Sequence, residues 1–226
     1  ATPGAALRID FDPPHLNHVA VPADFRWVAA YSGTAAPKGG SAADAYNSFV
    51  LASRAAARLL GDASPSPQLS RVREASARDQ AGLPTMKVAE AAALVDGDDL
   101  GLPGDAMLDL RVSAEHVLAE AARVDAAEHA MRQADAGAMG ELMLESHASL
   151  RRYGSSTPGL ERLVEAATAA GAFGARVTGA GFGGWAIALA GPDTYLPVHQ
   201  AMEAACGGPA FIAEASGGVM WSLTAL

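Results

Sequence analysis

Hydrophobic and polar positions alternate with period two over residues 5–11, through Leu7, Arg8, Ile9, Asp10 and Phe11. This predicts a half-buried strand that Pro13-Pro14 brings to a stop, with His15 and His18 in the connection. A second strand is predicted over 26–32, and Gly and Pro make 33–41 a loop. The period then changes. Val50, Leu51, Ala55 and Leu59 share one side of a helix predicted over 42–60, with Ser41 as N-cap and Gly61 as its end. A Pro/Ser linker at 62–68 leads to short helices over 69–79 and 86–94. A long helix is predicted over 106–134, where Leu108, Val112, Val117, Leu118, Ala121, Val124 and Met131 recur at three-and-four spacing. Gly137 breaks it, and a helix over 138–150 follows. Thr157 caps the next one with Pro158 in its first turn, and Gly171 ends it. Beyond come a strand–loop–strand unit over 176–190, a helix over 193–205 opened by Pro192, and strands at 209–216 and 219–224 around Gly217-Gly218. Antiparallel strands with helices gathered on one face make an α+β layer.

Composition narrows the classes. The chain has 226 residues, half of them hydrophobic and 18% charged, which suits a packed core and excludes general disorder. The formal charge of −9 argues against a broad nucleic-acid or anionic-membrane surface. Cys206 is the single cysteine and cannot form an internal disulfide. No signal peptide opens the chain and no run of 18 apolar residues occurs, so a soluble, cytoplasmic protein is expected. His15 and His18 have no Cys or acidic partner at metal-ligand spacing and read as surface or packing residues. Asp96, Asp98 and Asp99 lack the glycine and closing Glu of a calcium loop and read as a solvated turn.

The densest signal is Thr178-Gly179-Ala180-Gly181-Phe182-Gly183-Gly184, with four glycines in six positions from 179 to 184. Gly179, Gly181 and Gly184 formally match G-x-G-x-x-G, but a buried strand follows where a dinucleotide fingerprint needs a helix and a later acid. No Lys-Ser/Thr follows, which excludes a P-loop. What remains is two strands joined by an open-backbone loop, a pattern that fits a ligand-facing loop and a ligand-free wide hairpin equally. A second glycine-containing loop, with Lys38 and Ser41, feeds the helix over 42–60 and reads either as a plain capped helix after a flexible turn or as an anion site at that helix start.

The segment 178–184 resembles the third, C-terminal motif of the GHMP kinases, and closely that of galactokinases. The similarity extends upstream through Gly140-Glu-Leu-Met-Leu-Glu-Ser-His-Ala-Ser-Leu150, Pro158-Gly-Leu-Glu-Arg-Leu-Val-Glu-Ala-Ala167 and Gly171-Ala-Phe-Gly-Ala-Arg176. Ser32-Gly33, Tyr46-Asn47 and Ser216-Gly217 also fit the family's order. The resemblance implies a ferredoxin-like antiparallel sheet with helices on one face, residues 1–226 forming one GHMP kinase C-terminal domain. It implies that Tyr46 touches the sugar, that Lys38 and Ser41 contact the nucleotide, and that the 178–184 loop shapes the active-site cleft. The family's phosphate-binding loop, catalytic Asp and Mg²⁺-holding residue belong to an N-terminal half for which no counterpart stands in this sequence. No catalytic or metal-ligating residue is therefore assigned here.

The function implied is the C-terminal half of an ATP-dependent sugar 1-kinase acting on a galactose-like substrate. ATP and Mg²⁺ are expected for the complete enzyme and not for this chain alone. The N-terminal half, in the same or a separate polypeptide, is the expected partner, with no nucleic acid or membrane. A non-catalytic sugar-binding module and a structural subunit of a split kinase are the alternatives. The resemblance breaks at Arg151-Arg152, where galactokinases tend to be acidic, at Trp185, where they have a small residue, and in the loop 34–41. The roles of these residues and of His147 are open at this stage.

Overall fold

The computed structural model describes residues 2–11, 13–36, 39–95, 100–206 and 208–216, with Ser41 described through its backbone only. Lys38, the three acids at Asp96, Asp98 and Asp99, and the expected turn and strand over 217–224 lie outside the described residues.

The chain opens with β1 (Ala5–Phe11) and β2 (Pro14–Ala20), an antiparallel hairpin in which Phe11 faces Pro14 and Ile9 faces Leu16. The proline pair does not end the sheet as the sequence predicts. Pro14 is the first residue of β2, a position where a missing N–H costs little, so His15 and His18 are strand residues. β3 (Arg26–Tyr31) follows as predicted, and α1 (Ser41–Leu59) begins one residue early. Its N-cap is Gly40, at φ 61, without a side-chain cap bond, so Ser41 is not the cap.

The stretch 62–68 is an organised turn rather than a slack linker. The Asp62 carboxylate is buried and accepts from the Gln68 and Ser64 N–H groups at 2.8 and 2.9 Å. These backbone donors, Gln68 first, hold the carboxyl down at about 2. A 3₁₀ turn (Leu69–Arg71) and α2 (Ala77–Ala81) replace the single predicted helix, because Ser76 caps Asp79 and restarts the chain. β4 (Thr85–Lys87) precedes α3 (Val88–Leu94) and pairs with β5 (Met107–Asp109), so both predicted helices lose their first residues to a small ribbon. Asp109 and Asp135 then cap α4 (Leu110–Arg132) and α5 (Ala136–Tyr153), and Gly137 is absorbed in the first turn of α5.

α6 (Pro158–Ala169) carries the expected Thr157 cap and Pro start. β6 (Gly174–Val177) and β7 (Trp185–Ala190) flank the glycine loop, and α7 (Tyr195–Cys206) and β8 (Ala210–Ala213) complete the described elements. The main sheet has the order β6-β7-β3-β8, all antiparallel. Read from β8 this is the fourth, first, third and second strand of the sheet, the ferredoxin-like arrangement within an α+β fold.

Two cores result. Val28, Ala30, Ala186 and Ala188 of the sheet pack against Leu160 and Leu163 of α6 and Val198 and Met202 of α7. Small residues on the sheet let the helices lie close, and each fully buried Leu contributes on the order of 1.5–3 kcal/mol. The second core joins Leu51 and Ala55 of α1 to Val88, Leu108, Leu110 and Ala114. α5 meets β6 through Gly140 and Gly174, where a Cβ on Gly174 would lie 2.0 Å from the Gly140 carbonyl oxygen. Among the described residues no helix is long and apolar enough to cross a membrane.

Candidate active-site cleft

A cleft of about 650 Å³ opens along the seam between the two cores. It is lined by Tyr46, Phe49, Ser53 and Arg54 of α1, by His116 and Glu120 of α4, and by Tyr153, Ser155 and Arg176. Gly179 and Ala180 of the glycine loop, Ser66 to Ser70 with Arg73, and Ile9, Asp10 and Phe11 of β1 also line it.

Two glycine-loop residues face this cleft and the rest hold the loop in place. Thr178, Gly179 and Ala180 are exposed, while Gly181 and Gly183 are buried. The Phe182 N–H donates to the Ser155 carbonyl at 2.7 Å, and the Gly184 N–H to the Thr34 carbonyl at 2.8 Å. A Cβ at Gly181, which has φ 84, would sit 2.2 Å from that Ser155 oxygen. A glycine is therefore required there by both backbone conformation and close approach.

Phe182 itself sits at φ 60 and turns its ring onto α1. A stack runs from Phe182 to Phe49 (6.0 Å between centroids), to Tyr153 (3.9 Å) and to His116 (4.2 Å). It ties the glycine loop, α1, α5 and α4 together. Tyr46, one turn before Phe49 and 53% exposed, is thereby presented to the cleft from a fixed helix.

The polar lining is cross-linked. Glu120 accepts from Ser146 at 2.8 Å and Arg123 at 2.6 Å, and Arg176 approaches it at 3.5 Å. Burial raises the Glu120 carboxyl, but these donors outweigh it and leave it below the usual carboxylate range. Burial lowers Arg176, raises the Tyr153 phenol and lowers His116, whose Nδ1 lies 2.9 Å from the Ser149 hydroxyl. Asp10, the other cleft carboxylate, is held by Arg8 at 3.2 Å. Among the described residues no group of three His, Cys, Asp or Glu side chains could hold a metal ion.

Other singled-out residues fall elsewhere. His147 is buried, 1% exposed, with Nε2 3.2 Å from the Glu161 carboxylate but off the direction of a hydrogen bond. Arg151 pairs with Glu161 at 2.9 Å, and neither it nor Arg152 lines the cleft. Trp185 lies on the sheet face away from α6 and α7, 5.5 Å from Tyr31 and 5.6 Å from Phe211 between ring centroids, so it does not narrow the cleft. Phe49, His116, Glu120, Tyr153 and Arg176 were not picked out as a group by sequence reasoning. The available signal was spacing: Phe49 is one turn past Tyr46, and His116 and Glu120 are four apart on one helix face.

Comparison with known proteins agrees with this geometry. Residues 127–214 match the family GHMP kinases C terminal. A galactokinase of Chloroflexus aurantiacus is 35% identical over 193 residues, which is 84% of this chain and 43% of that protein. Human galactokinase is 50% identical over 78 residues, 34% of this chain and 20% of its own. The crystal structure of Lactococcus lactis galactokinase complexed with galactose superposes with a TM-score of 0.70 at 27% identity, covering 96% of this chain and 52% of that one. A mevalonate kinase of L. major shares the fold, with a TM-score of 0.52 at 18% identity. The chain spans about half the length, or less, of the galactokinases it matches. Residues 127–214 thus form a GHMP kinase C-terminal domain, and the chain as a whole is similar to part of the galactokinases in sequence and fold.

Proposed function

We propose that this chain is the substrate-shaping half of an ATP-dependent kinase that transfers a phosphoryl group to a hydroxyl, the anomeric one, of a galactose-like sugar. The observation that carries the reading is the meeting of Tyr46 with Gly179 and Ala180 on one cleft in a galactokinase-like fold. Tyr46 offers a phenol and a ring face to the sugar. The aromatic stack keeps α1 from drifting, which matters because misplacement of a substrate by about 1 Å can cost on the order of 100-fold in rate.

In the transfer, the sugar oxygen forms a bond to the γ-phosphorus, the bond to the ADP oxygen breaks, and the sugar proton passes to a base. Phosphoryl transfer relies on positioned phosphates, a metal and an oriented nucleophile. The donor set here does not fit those tasks. Asp10 and Glu120 are engaged by arginines, and the N–H groups of Phe182 and Gly184 are committed to carbonyls of this chain. ATP, Mg²⁺ and the base are accordingly assigned to the N-terminal half, in the same polypeptide or another. Lys38 and Ser41 stay proposed as nucleotide contacts from this side.

The test is phosphorylation of galactose by this chain alone and together with an N-terminal half, with Tyr46→Phe and Tyr46→Ala compared. The expected result is no turnover alone and turnover with the partner, with a raised KM in the variants. Turnover by the chain alone would contradict the division of labour.

A further inference from the structure

Acids outnumber Lys and Arg by 25 to 16 in this chain, so guanidinium groups left without a counter-ion around one cavity carry information. The cleft has two. Both carboxylates that line it are taken: Asp10 by Arg8 at 3.2 Å, and Glu120 by Arg123 at 2.6 Å with Arg176 at 3.5 Å. Arg54 of α1 and Arg73, two residues past the 3₁₀ turn, line the same cleft. Among the described residues neither guanidinium has a hydrogen bond or ion pair. Arg54 is half-buried and Arg73 exposed. A neutral hexose offers such groups only hydroxyls, and the uncharged Ser53 and Gln68, which also line the cleft, suffice for those. Arginine is the side chain that meets carboxylate and phosphate oxygens with two parallel N–H bonds. The cleft volume of about 650 Å³ is also in the range that takes drug-sized ligands, with room beyond one unsubstituted hexose.

We infer that the sugar carries an oxyanion, a carboxylate or a phosphate ester away from the hydroxyl that is phosphorylated, and that Arg54 and Arg73 recognise it, an inference that rests on the proposed kinase reading. Tyr46 and Arg54 are eight residues apart on α1, about 12 Å along its axis. Tyr46, Phe49, Ser53 and Arg54 line the cleft at i, i+3, i+7 and i+8, so one rigid helix presents both the ring for the sugar and the cation for its charge. Arg73 follows the turn that Asp62 holds through Ser64, Gln68 and Arg71, so it too leaves a positioned backbone. A neutral sugar leaves both guanidinium groups to water. An anionic one exchanges that water for charge-assisted bonds, and the net charge of −9 discourages anions from settling elsewhere on the chain. The two arginines thereby choose the sugar and take no part in the phosphoryl transfer.

Both arginines belong to this chain, so the experiment needs the chain alone. Titration calorimetry compares galactose, galacturonic acid, galactose 6-phosphate and inorganic phosphate as ligands of the wild type, of Arg54→Gln, of Arg73→Gln, of the double variant and of Arg78→Gln, whose side chain does not line the cleft. Neither cleft substitution removes a side-chain bond made among the described residues, so Tm should hold. At least one anionic sugar is expected to bind about tenfold or more tighter than galactose. The preference should vanish in the double variant and persist in Arg78→Gln. Tighter binding of galacturonic acid identifies a carboxylate, and tighter binding of galactose 6-phosphate a phosphate ester. Failure of either anionic sugar to bind, or a preference that survives the double variant, overturns the inference. Galactose bound as well as the anionic sugars, and lost in Tyr46→Ala, sinks the inference and leaves the kinase reading standing. Inorganic phosphate bound as tightly as the anionic sugars, with Tyr46→Ala without effect, sinks both, because no sugar is then recognised.

Discussion

Phe182 stacks on Phe49 with ring centroids 6.0 Å apart while its own backbone is held at φ 60, in the left-handed region. A non-glycine residue there costs about 1–2 kcal/mol, so the stack and the Phe182 N–H bond to Ser155 offset local strain. Two substitutions separate the contributions. Phe182→Ala loses the ring and keeps the strain; Phe182→Gly loses the ring and relieves it. The glycine variant is expected to be the more stable of the two by about 1 kcal/mol, read from urea unfolding midpoints. Equal stabilities would show that the left-handed backbone is not a cost at this site.

The glycines of the loop differ in kind, and the same measurement shows it. Gly181 has φ 84 and faces the Ser155 carbonyl oxygen, 2.2 Å from where a Cβ would be, whereas Gly179 has φ 74 and open space around it. Gly179→Ala should cost only the conformational penalty of about 1–2 kcal/mol. Gly181→Ala adds a clash with backbone, and should cost about 1–3 kcal/mol more. A Gly179 variant as damaged as the Gly181 variant would mean that the exposed tip is packed. On the proposed kinase reading the order should reverse for activity relative to stability, because of the two glycines Gly179 is the one that borders the cleft.

The strand–loop–strand unit was legible because its signals are local: an apolar lead-in, four glycines, and a second apolar run closed by Gly191-Pro192. Thr157-Pro158 likewise announced α6, since cap and first-turn chemistry are written within a few residues. What local pattern could not show was pairing. Pro13-Pro14 reads as a stop, yet β2 starts at Pro14 because β1 is already there to bond with. β4 and β5 were hidden at the starts of two helices, since three-residue strands exist only by virtue of each other. The cleft followed the same rule. Resemblance singled out Tyr46 and gave the glycine loop its expected role, while Glu120 and Arg176, 56 positions apart, form a pair that no spacing encodes.

Asp62 makes the turn over 62–68 a wall of the cleft. Its carboxylate binds the Gln68 and Ser64 N–H groups and pairs with Arg71 at 3.5 Å, and Ser66, Pro67 and Gln68 line the cavity. Asp62→Ala removes the acceptor for two backbone donors and should loosen this wall selectively. Limited proteolysis is the measurement: cleavage within 62–70 should appear in the variant while α4 to β8 stay resistant. Because the folded carboxyl titrates near 2, below its unfolded value of 3.8, wild-type protection is present above about pH 4 and is lost as pH falls toward 2. Protection that survives the substitution would return this stretch to the status of a passive linker.

His147 and His116 make the fold sensitive to mild acid. Burial lowers both below the usual value of 6.5. For His147 the surrounding groups are Glu161 on α6, which favours the charged form, and Arg151 and Arg176, which oppose it. For His116 they are Glu120, against Arg123, Arg176 and Arg152. The folded protein therefore binds fewer protons than the unfolded chain once pH drops below about 6.5. Stability is full above that point and declines as pH falls through it toward the folded values. Each histidine adds at most about 1.4 kcal/mol per pH unit to the slope. His147→Leu removes one titrating group of similar volume, so the slope between pH 6.5 and 5 should drop by up to that amount in chemical unfolding. An unchanged slope would show that His147 binds its proton in the folded protein as readily as in the unfolded chain.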